Sequence, residues 1–443
     1  MSLVDNDDQR TNLTALEGIQ HEIVIQPPIA HDPYQAMRFR DFRLVVIGSF
    51  IVSMGDRMVE VALGWQLYER THSSLVLGGV GLVLVIPVLL LSLPAGHIVD
   101  RFDRKRILLA GQAALIISSL GLAALSLTNG SIILIYACLL LMGTASAFLN
   151  PASAALTAQT VPEEAFENSA TWNSSAWQLA SVIGPGLGGM LIGIFQQTTL
   201  IYVLNALAAL LFAIFLLFVR ARYQPVIQPE KKENANWKAV FDGVSFLKST
   251  PVLLAAITLD MFGVLLGGAT TLLPVFAITV LHVGATGLGW LRAAPSIGAL
   301  SMAFILTRRP PFKHAGPALL LAVIGFGAAT VVFGLSHSFW LSLAMLFLLG
   351  GLDNISVVIR SALLLTRTPN QMRGRVSAVN AVFIGASNEL GGFESGLTAQ
   401  IFGPVLSVVG GGIGTILVVI AVAVFWPEMR HLGTLRETED QSI

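Results

Sequence analysis

Asp56, Arg57 and Glu60 stand together in an otherwise apolar run. A charge buried in hydrocarbon is costly unless it is paired or wet, so such residues mark pathways, proton relays or structural pairs. On a helix Asp56 and Glu60 are one turn apart and share a face, while Arg57 projects about 100° away. Two adjacent carboxylates oppose each other's ionisation, which is the property a proton-carrying site needs. The alternative is an Arg57–Glu60 ion pair that pins the helix. A second set is Asp353 and Arg360, nearly on one face but about 10 Å apart along the axis, so each needs a partner across a cavity or through water. A third is Asn388, Glu389 and Glu394. Glu389 falls near the middle of its apolar segment and faces a cavity or pairs with an arginine such as Arg360. Glu394 points about 140° away from it, nearer the outer end. Asp260 is off-centre in its segment, as a gate contact or a cap. Arg292, near a segment end, is expected to snorkel to the interface.

The elements that carry these charges are long apolar runs. The chain has 443 residues, 54% hydrophobic and 12% charged, with mean hydropathy +0.75. A soluble domain carries about twice that charged fraction. Acidic and basic residues balance at 26 each, so no net basicity points to nucleic acid. Runs able to cross about 30 Å of hydrocarbon are expected at 43–68, 75–99, 106–127, 131–159, 168–195 and 199–220. A second series follows at 251–281, 286–307, 315–336, 338–366, 375–402 and 404–426. The fold class is therefore an all-α membrane protein with twelve transmembrane helices in two six-helix bundles. Residues 1–35 are expected to be a polar cytoplasmic tail without the pattern of a cleavable signal peptide. Residues 36–220 form the N-terminal bundle, 221–250 a cytoplasmic linker, 251–427 the C-terminal bundle and 428–443 a cytoplasmic tail.

Positive charges set the orientation. With the N-terminus inside, Arg101, Arg104, Lys105 and Arg106 share a cytoplasmic loop, and Arg308, Arg309 and Lys313 take the equivalent loop of the second half. Arg220, Arg222, Lys231, Lys232, Lys238 and Lys248 fall between the halves, and the outer loops hold one cation, Arg70. The halves also repeat at an offset of 207: Gly143 with Gly350, Ala155-Leu156 with Ala362-Leu363, Pro162 with Pro369, Asn173 with Asn380, Gly184 with Gly391 and Gly189 with Gly396. Each half starts inside, so the repeat is parallel.

The loop after the second span runs from Gly96 through Asp100, Arg101 and Asp103 to Arg104, Lys105 and Arg106. It resembles the signature loop of the major facilitator superfamily, with Asp103 where a second glycine is usual. The resemblance implies a cytoplasmic gate of Gly96, Asp100, Arg101 and Arg104, which Asp260 would join. The fifth span holds Gly184, Pro185, Gly186, Gly188 and Gly189, similar to the motif of the family's antiporter branch, and implies helix flexing at Gly184, Pro185, Gly188 and Gly189. Further segments carry the likeness: Met54-Gly55-Asp56 and Ala62 to Trp65, Phe148 to Ala152, and Gly374 to Gly391. Together they resemble the twelve-helix efflux branch that contains bacterial enterobactin exporters, along with macrolide and drug exporters.

The expected function is export of a small amphipathic molecule, siderophore or drug-like, by alternating access with proton antiport. Asp56 and Glu60 would be protonatable, Arg57 would modulate them, and Glu389, Asp353 and Arg360 would form the opposite wall. Trp65, Gln66, Asn173, Gln178 and Asn388 would line the substrate path; the tryptophans could equally anchor at the interface. Expected partners are substrate, protons and the lipid of a bacterial cytoplasmic (inner) membrane, with both termini cytoplasmic and the chain monomeric. No ATP-binding loop and no nucleophile–base pair is visible, so an enzyme is not expected. Cofactors and metals are not expected either: Cys138 is the sole cysteine, and the eight histidines fall in the tail, in loops or at helix ends. The competing reading is a non-transporting receptor or assembly partner with the same fold.

Overall fold

The computed structural model describes residues 32–220, 237–310, 312–369 and 372–433, and one compact unit begins at Ala36. Most of the N-terminal tail, the linker cations Arg222, Lys231 and Lys232, and the last ten residues lie outside the described residues. Among those described there is no strand. The first half comprises α1 (Arg40–Thr71), α2 (Ser74–Arg101), α3 (Arg104–Leu127), α4 (Ile132–Ala158), α5 (Phe166–Phe195) and α6 (Thr199–Phe218). The second comprises α7 (Pro251–Val280), α8 (Gly284–Thr307), α9 (Ala315–Leu335), α10 (Phe339–Arg367), α11 (Arg373–Phe402) and α12 (Pro404–Phe425). Ten of these twelve are long and apolar enough to cross a membrane. The other two, α1 and α11, span 32 and 30 residues and hold the intramembrane charges Asp56, Arg57, Glu60, Glu389 and Glu394.

Local chemistry sets the ends. Ser73 and Asp103 cap α2 and α3 by accepting the backbone N–H of Val76 and Lys105 at 3.4 and 2.8 Å, which satisfies donors no helix can satisfy itself. The division expected at Phe402-Gly403-Pro404 is sharp: Gly403 has φ +90°, a conformation L side chains avoid, and Pro404 opens the next helix.

Two elements differ from expectation. The α7 segment is not one continuous helix. Regular winding stops at Leu266, a 3-10 turn covers Ala269–Leu272, and a π turn covers Phe276–Val280. Gly267-Gly268 removes side-chain support and Pro274 removes a donor, so the backbone rewinds in short pieces. The stretch expected as a polar linker contains a helix, Trp237–Ser249, which lies against α11 near Arg375 and Val379.

Lipid is as apolar as leucine, so helix association here depends on close packing. One core runs through the first half and continues into α7 and α8 at Phe276 and Leu288; a second fills the other half around Leu253, Leu259, Leu319 and Ile359. Leu90, Ile117, Ile133, Leu321 and Phe425 project outward into what a bilayer solvates. The halves join mainly where α5 crosses α8 and α2 crosses α11. A Cβ on Gly189 would stand 2.5 Å from the carbonyl oxygen of Ala285 and 2.7 Å from Cα of Gly289. On Gly396 it would stand 2.7 Å from the oxygen of Ser74 and 2.8 Å from Cα of Gly78. The two glycines matched at an offset of 207 thus make the two equivalent crossings. Both lie toward the end of the molecule remote from the Asp100–Arg106 loop.

Candidate functional site

A cavity of about 470 Å³ opens where the halves meet. The first half contributes Arg57, Glu60 and Gly64 of α1, Val80 and Gly81 of α2 and Trp177 of α5. The second half contributes Thr270, Thr271 and Pro274 of α7, Arg292 of α8 and Gly385, Asn388 and Glu389 of α11. Two guanidinium groups thus balance two carboxylates on walls that are otherwise largely apolar.

Nη1 of Arg57 donates to Oε1 of Glu60 at 2.6 Å, the ion pair weighed above as the alternative to an Asp56–Glu60 proton pair. Nη2 of Arg292 donates to the other oxygen of Glu60 at 3.3 Å, so this carboxylate links the halves. Arg292 also approaches the carbonyl of Thr270, at 3.4 Å. Its expected snorkelling is therefore corrected: it lies two turns inside α8, on the face that the α5 crossing turns toward the first half. The Arg57 guanidinium lies 5.4 Å from the ring centre of Trp177, within cation–π range. Asn388 borders the cavity while its amide donates to the carbonyl of Ile384 at 2.8 Å.

Other expected site residues are placed elsewhere. Asp56 does not line this cavity. It turns into the first half, where Nδ2 of Asn205 donates to it at 3.3 Å and to Ser119 at 3.1 Å. Asp353 and Arg360 do not form the opposite wall, and Asp260 is not at the basic loops. Arg360 pairs with Asp260 inside the second half, each side chain 7% exposed, and Asp353 lies beside them. The guanidinium expected to seek a cavity partner is thus paired with a carboxylate of α7. Gln66 is buried against α6, accepting from the Tyr202 hydroxyl at 2.7 Å and from Thr198 at 3.2 Å. Trp65 and Gln66 instead border a separate polar pocket of about 290 Å³ with Glu69 and Arg70. Asn173 and Gln178 are half-buried on α5 and do not border the central cavity.

At the basic end, Asp100, Arg101 and Arg104 line a groove of about 820 Å³ together with Arg40, Lys105 and Arg220. Nζ of Lys105 donates to the carbonyls of Leu217 and Val219 at 2.9 and 3.0 Å, neutralising the C-terminus of α6. Gly96 is half-buried in α2 and meets nothing that a Cβ would touch. In α5, Gly184 and Gly188 admit Met54, Arg57 and Met58 of α1, and Pro185 is buried within the helix. No group of His, Cys, Asp and Glu suited to a metal ion occurs among the described residues.

Thr270, Thr271 and Arg292 were not anticipated as cavity residues. The Gly267-Gly268 pair before the two threonines carried a signal of an interrupted helix; nothing local identified the partner of Arg292.

Residues 45–313 match the family model of the Major Facilitator Superfamily. The multidrug efflux pump Tap of Mycolicibacterium fortuitum is 25% identical over 88% of this chain and 96% of its own length. The enterobactin exporter EntS of Citrobacter koseri is 27% identical over 88% of this chain and 92% of its own. Among solved structures, a bacterial homologue of the human lysosomal transporter Spinster, inward-facing and occupied, aligns with TM-score 0.69 at 14% identity, covering 91% of this chain and 98% of that one. The nucleoside transporter NupG aligns with TM-score 0.64 at 14% identity, covering 87% and 99%. These structural likenesses concern the fold alone.

Proposed function

The chain belongs to the major facilitator superfamily, a family of transporters and not enzymes, and from that premise we propose that it exports a small amphipathic molecule in exchange for protons. The observation that carries the proposal is the placement of Glu60 and Glu389 in one cavity between the halves, beside Arg57, Arg292 and Trp177. Apolar walls with a few charged groups suit a molecule that is part greasy and part polar. Carboxylates open to such a space can exchange protons and release or recapture an arginine as they do so. Glu60 and Glu389 are the groups we assign to proton exchange. Asp56, one helical turn from Glu60 and held by Asn205, would act with them from behind the wall.

The relatives named as exporters of drugs and of enterobactin support export and leave siderophore-like and drug-like substrates as the two candidates. With the N-terminus inside, the joined crossings lie at the outer face and the cavity belongs to an inward-facing state of a protein in the bacterial inner membrane. The limits 36–220 and 251–427 are the two moving bodies in this reading. Asp100, Arg101 and Arg104 would form the inner gate, and the α5 glycines and Pro185 would permit its bending.

Export into inverted vesicles tests the assignment. With an imposed pH gradient, Glu60→Gln and Glu389→Gln should each lower accumulation of an enterobactin-like siderophore or a lipophilic dye at least about tenfold, the loss expected for about 1.4 kcal/mol of coupling. Exchange of substrate without a gradient should persist. Accumulation unchanged in both variants would show that protons do not enter through these groups.

A further inference from the structure

At the end remote from the Asp100–Arg106 loop, the first half holds a pocket of about 290 Å³ that takes no part in the proposed transport path. It lies between the ends of α1, α3, α5 and α6 and shares no lining residue with the central cavity. Arg70, the single cation expected in the outer loops, is the one cation among the described residues that line it.

Three kinds of donor meet there without acceptors. Nη2 of Arg70 donates to the carbonyls of Asn129 and Gly130 at 2.9 and 2.5 Å, holding the turn between α3 and α4. Nη1 is buried and has no partner, and no carboxylate pairs with the guanidinium among the described residues. Glu69 is its neighbour in sequence, but the two side chains project about 100° apart on α1, and Glu69 is exposed at the rim. Gln66 is 7% exposed and borders the pocket. Its oxygen accepts from Thr198 and Tyr202, while its amide nitrogen donates to nothing among the described residues. The first turn of α6 also opens here, at Thr198 and Thr199, with no side-chain cap. Buried donors are costly when they have no acceptor, and charged ones more so.

Holding the α3–α4 turn accounts for Nη2 alone. A guanidinium edge, an amide and a helix N-terminus together favour a carboxylate, which accepts several such bonds at once. Trp65, Leu127 and Ile192 make the rest of the wall apolar. The volume is near the lower limit of ligand pockets and admits a small molecule only. We propose that this pocket binds a small organic carboxylate with a flat apolar body, anchored by Arg70 and Gln66. The fold requires neither anchor, since at the offset of 207 their counterparts are Ala277 and Leu273. Ile192 lies one turn beyond Gly189 on α5, so an occupant sits beside the α5–α8 crossing. The existence of the site is independent of the direction of transport and of the groups that carry protons.

The test is protection of a thiol on the pocket wall, in purified full-length protein in nanodiscs of zwitterionic lipid. Gln197 is exposed and borders the pocket, so Gln197→Cys in a Cys138→Ser background is alkylated with a maleimide. Benzoate should slow the reaction, and its neutral isostere benzamide should not. Arg70→Gln should raise the half-protecting benzoate concentration at least about tenfold, the change expected on losing one charge-assisted hydrogen bond. Thr199→Asp leaves the α3–α4 turn intact, favours the first turn of α6 and places a fixed carboxylate in the pocket. It should weaken protection likewise, which keeps the test decisive where Arg70→Gln does not fold; melting curves identify the folded variants. No protection by benzoate, equal protection by benzamide, or undiminished protection in a folded variant would each overturn the assignment. Failed export in Glu60→Gln leaves this result untouched, since no transport is measured.

Discussion

Glu60 has two arginine partners of different kinds. Arg57 belongs to its own helix and stays with it whatever the halves do, whereas Arg292 comes from the opposite half. The contact with Arg292 must break when the halves part at this end. These side chains are 23–37% exposed, so water screens them and the cross-half contact is worth about 0–1 kcal/mol. Arg292→Gln should therefore shift the balance of states by less than about tenfold, toward opening at the far end. A thiol reagent reacting with Thr270→Cys, in a Cys138→Ser background, would measure that shift. The buried Asp260–Arg360 pair should behave differently. Arg360→Gln leaves buried carboxylates without their cation and should cost about 3–5 kcal/mol, read as a lowered melting temperature. The double variant Asp260→Asn with Arg360→Gln should recover part of it. At this scale the sequence identified the charged residues but not their partners. The spacing of Asp353 and Arg360 gave no indication that Asp260, one hundred positions earlier, would hold the guanidinium.

Helices are the scale at which the sequence was most informative, because the apolar runs and the basic loops are local signals. Gly189 and Gly396 stood out through repetition, and the structure supplies the reason: each lets backbone approach backbone where one half crosses the other. Gly189→Val should force α5 and α8 apart. Disulfide formation between Gly193→Cys and Thr286→Cys, again without Cys138, should fall sharply, while Gly410→Val, where a Cβ meets nothing, should leave it unchanged. The helix Trp237–Ser249 was legible in principle, since Val240, Val244 and Leu247 recur at helical spacing. The surrounding Lys and Glu residues obscured it. The interruption of α7 was harder to see, because its apolar composition continues without a break through the 3-10 and π turns.

For the whole molecule, the internal repeat is evident in the crossings and absent from the charges. Equivalent glycines join the halves in two places, while Asp56, Arg57 and Glu60 of α1 and Asp353 and Arg360 of α10 have no charged counterparts at matching positions. Architecture thus follows the repeat, and the candidate chemistry departs from it. The basic loops supply a direct test of orientation. Cysteines at Asp103 and Asn129, again in the Cys138→Ser background, should react with an impermeant reagent from opposite sides of the membrane, Asp103→Cys only from the inside. Reaction of both from one side would refute the topology. Trp177 has a further use. Among the tryptophans whose side chains are described it alone borders the central cavity, half exposed and beside a guanidinium. Occupancy of that chamber should alter the indole's emission, so the protein carries its own optical reporter, and ligands could be screened by titration before any of them is known to be carried.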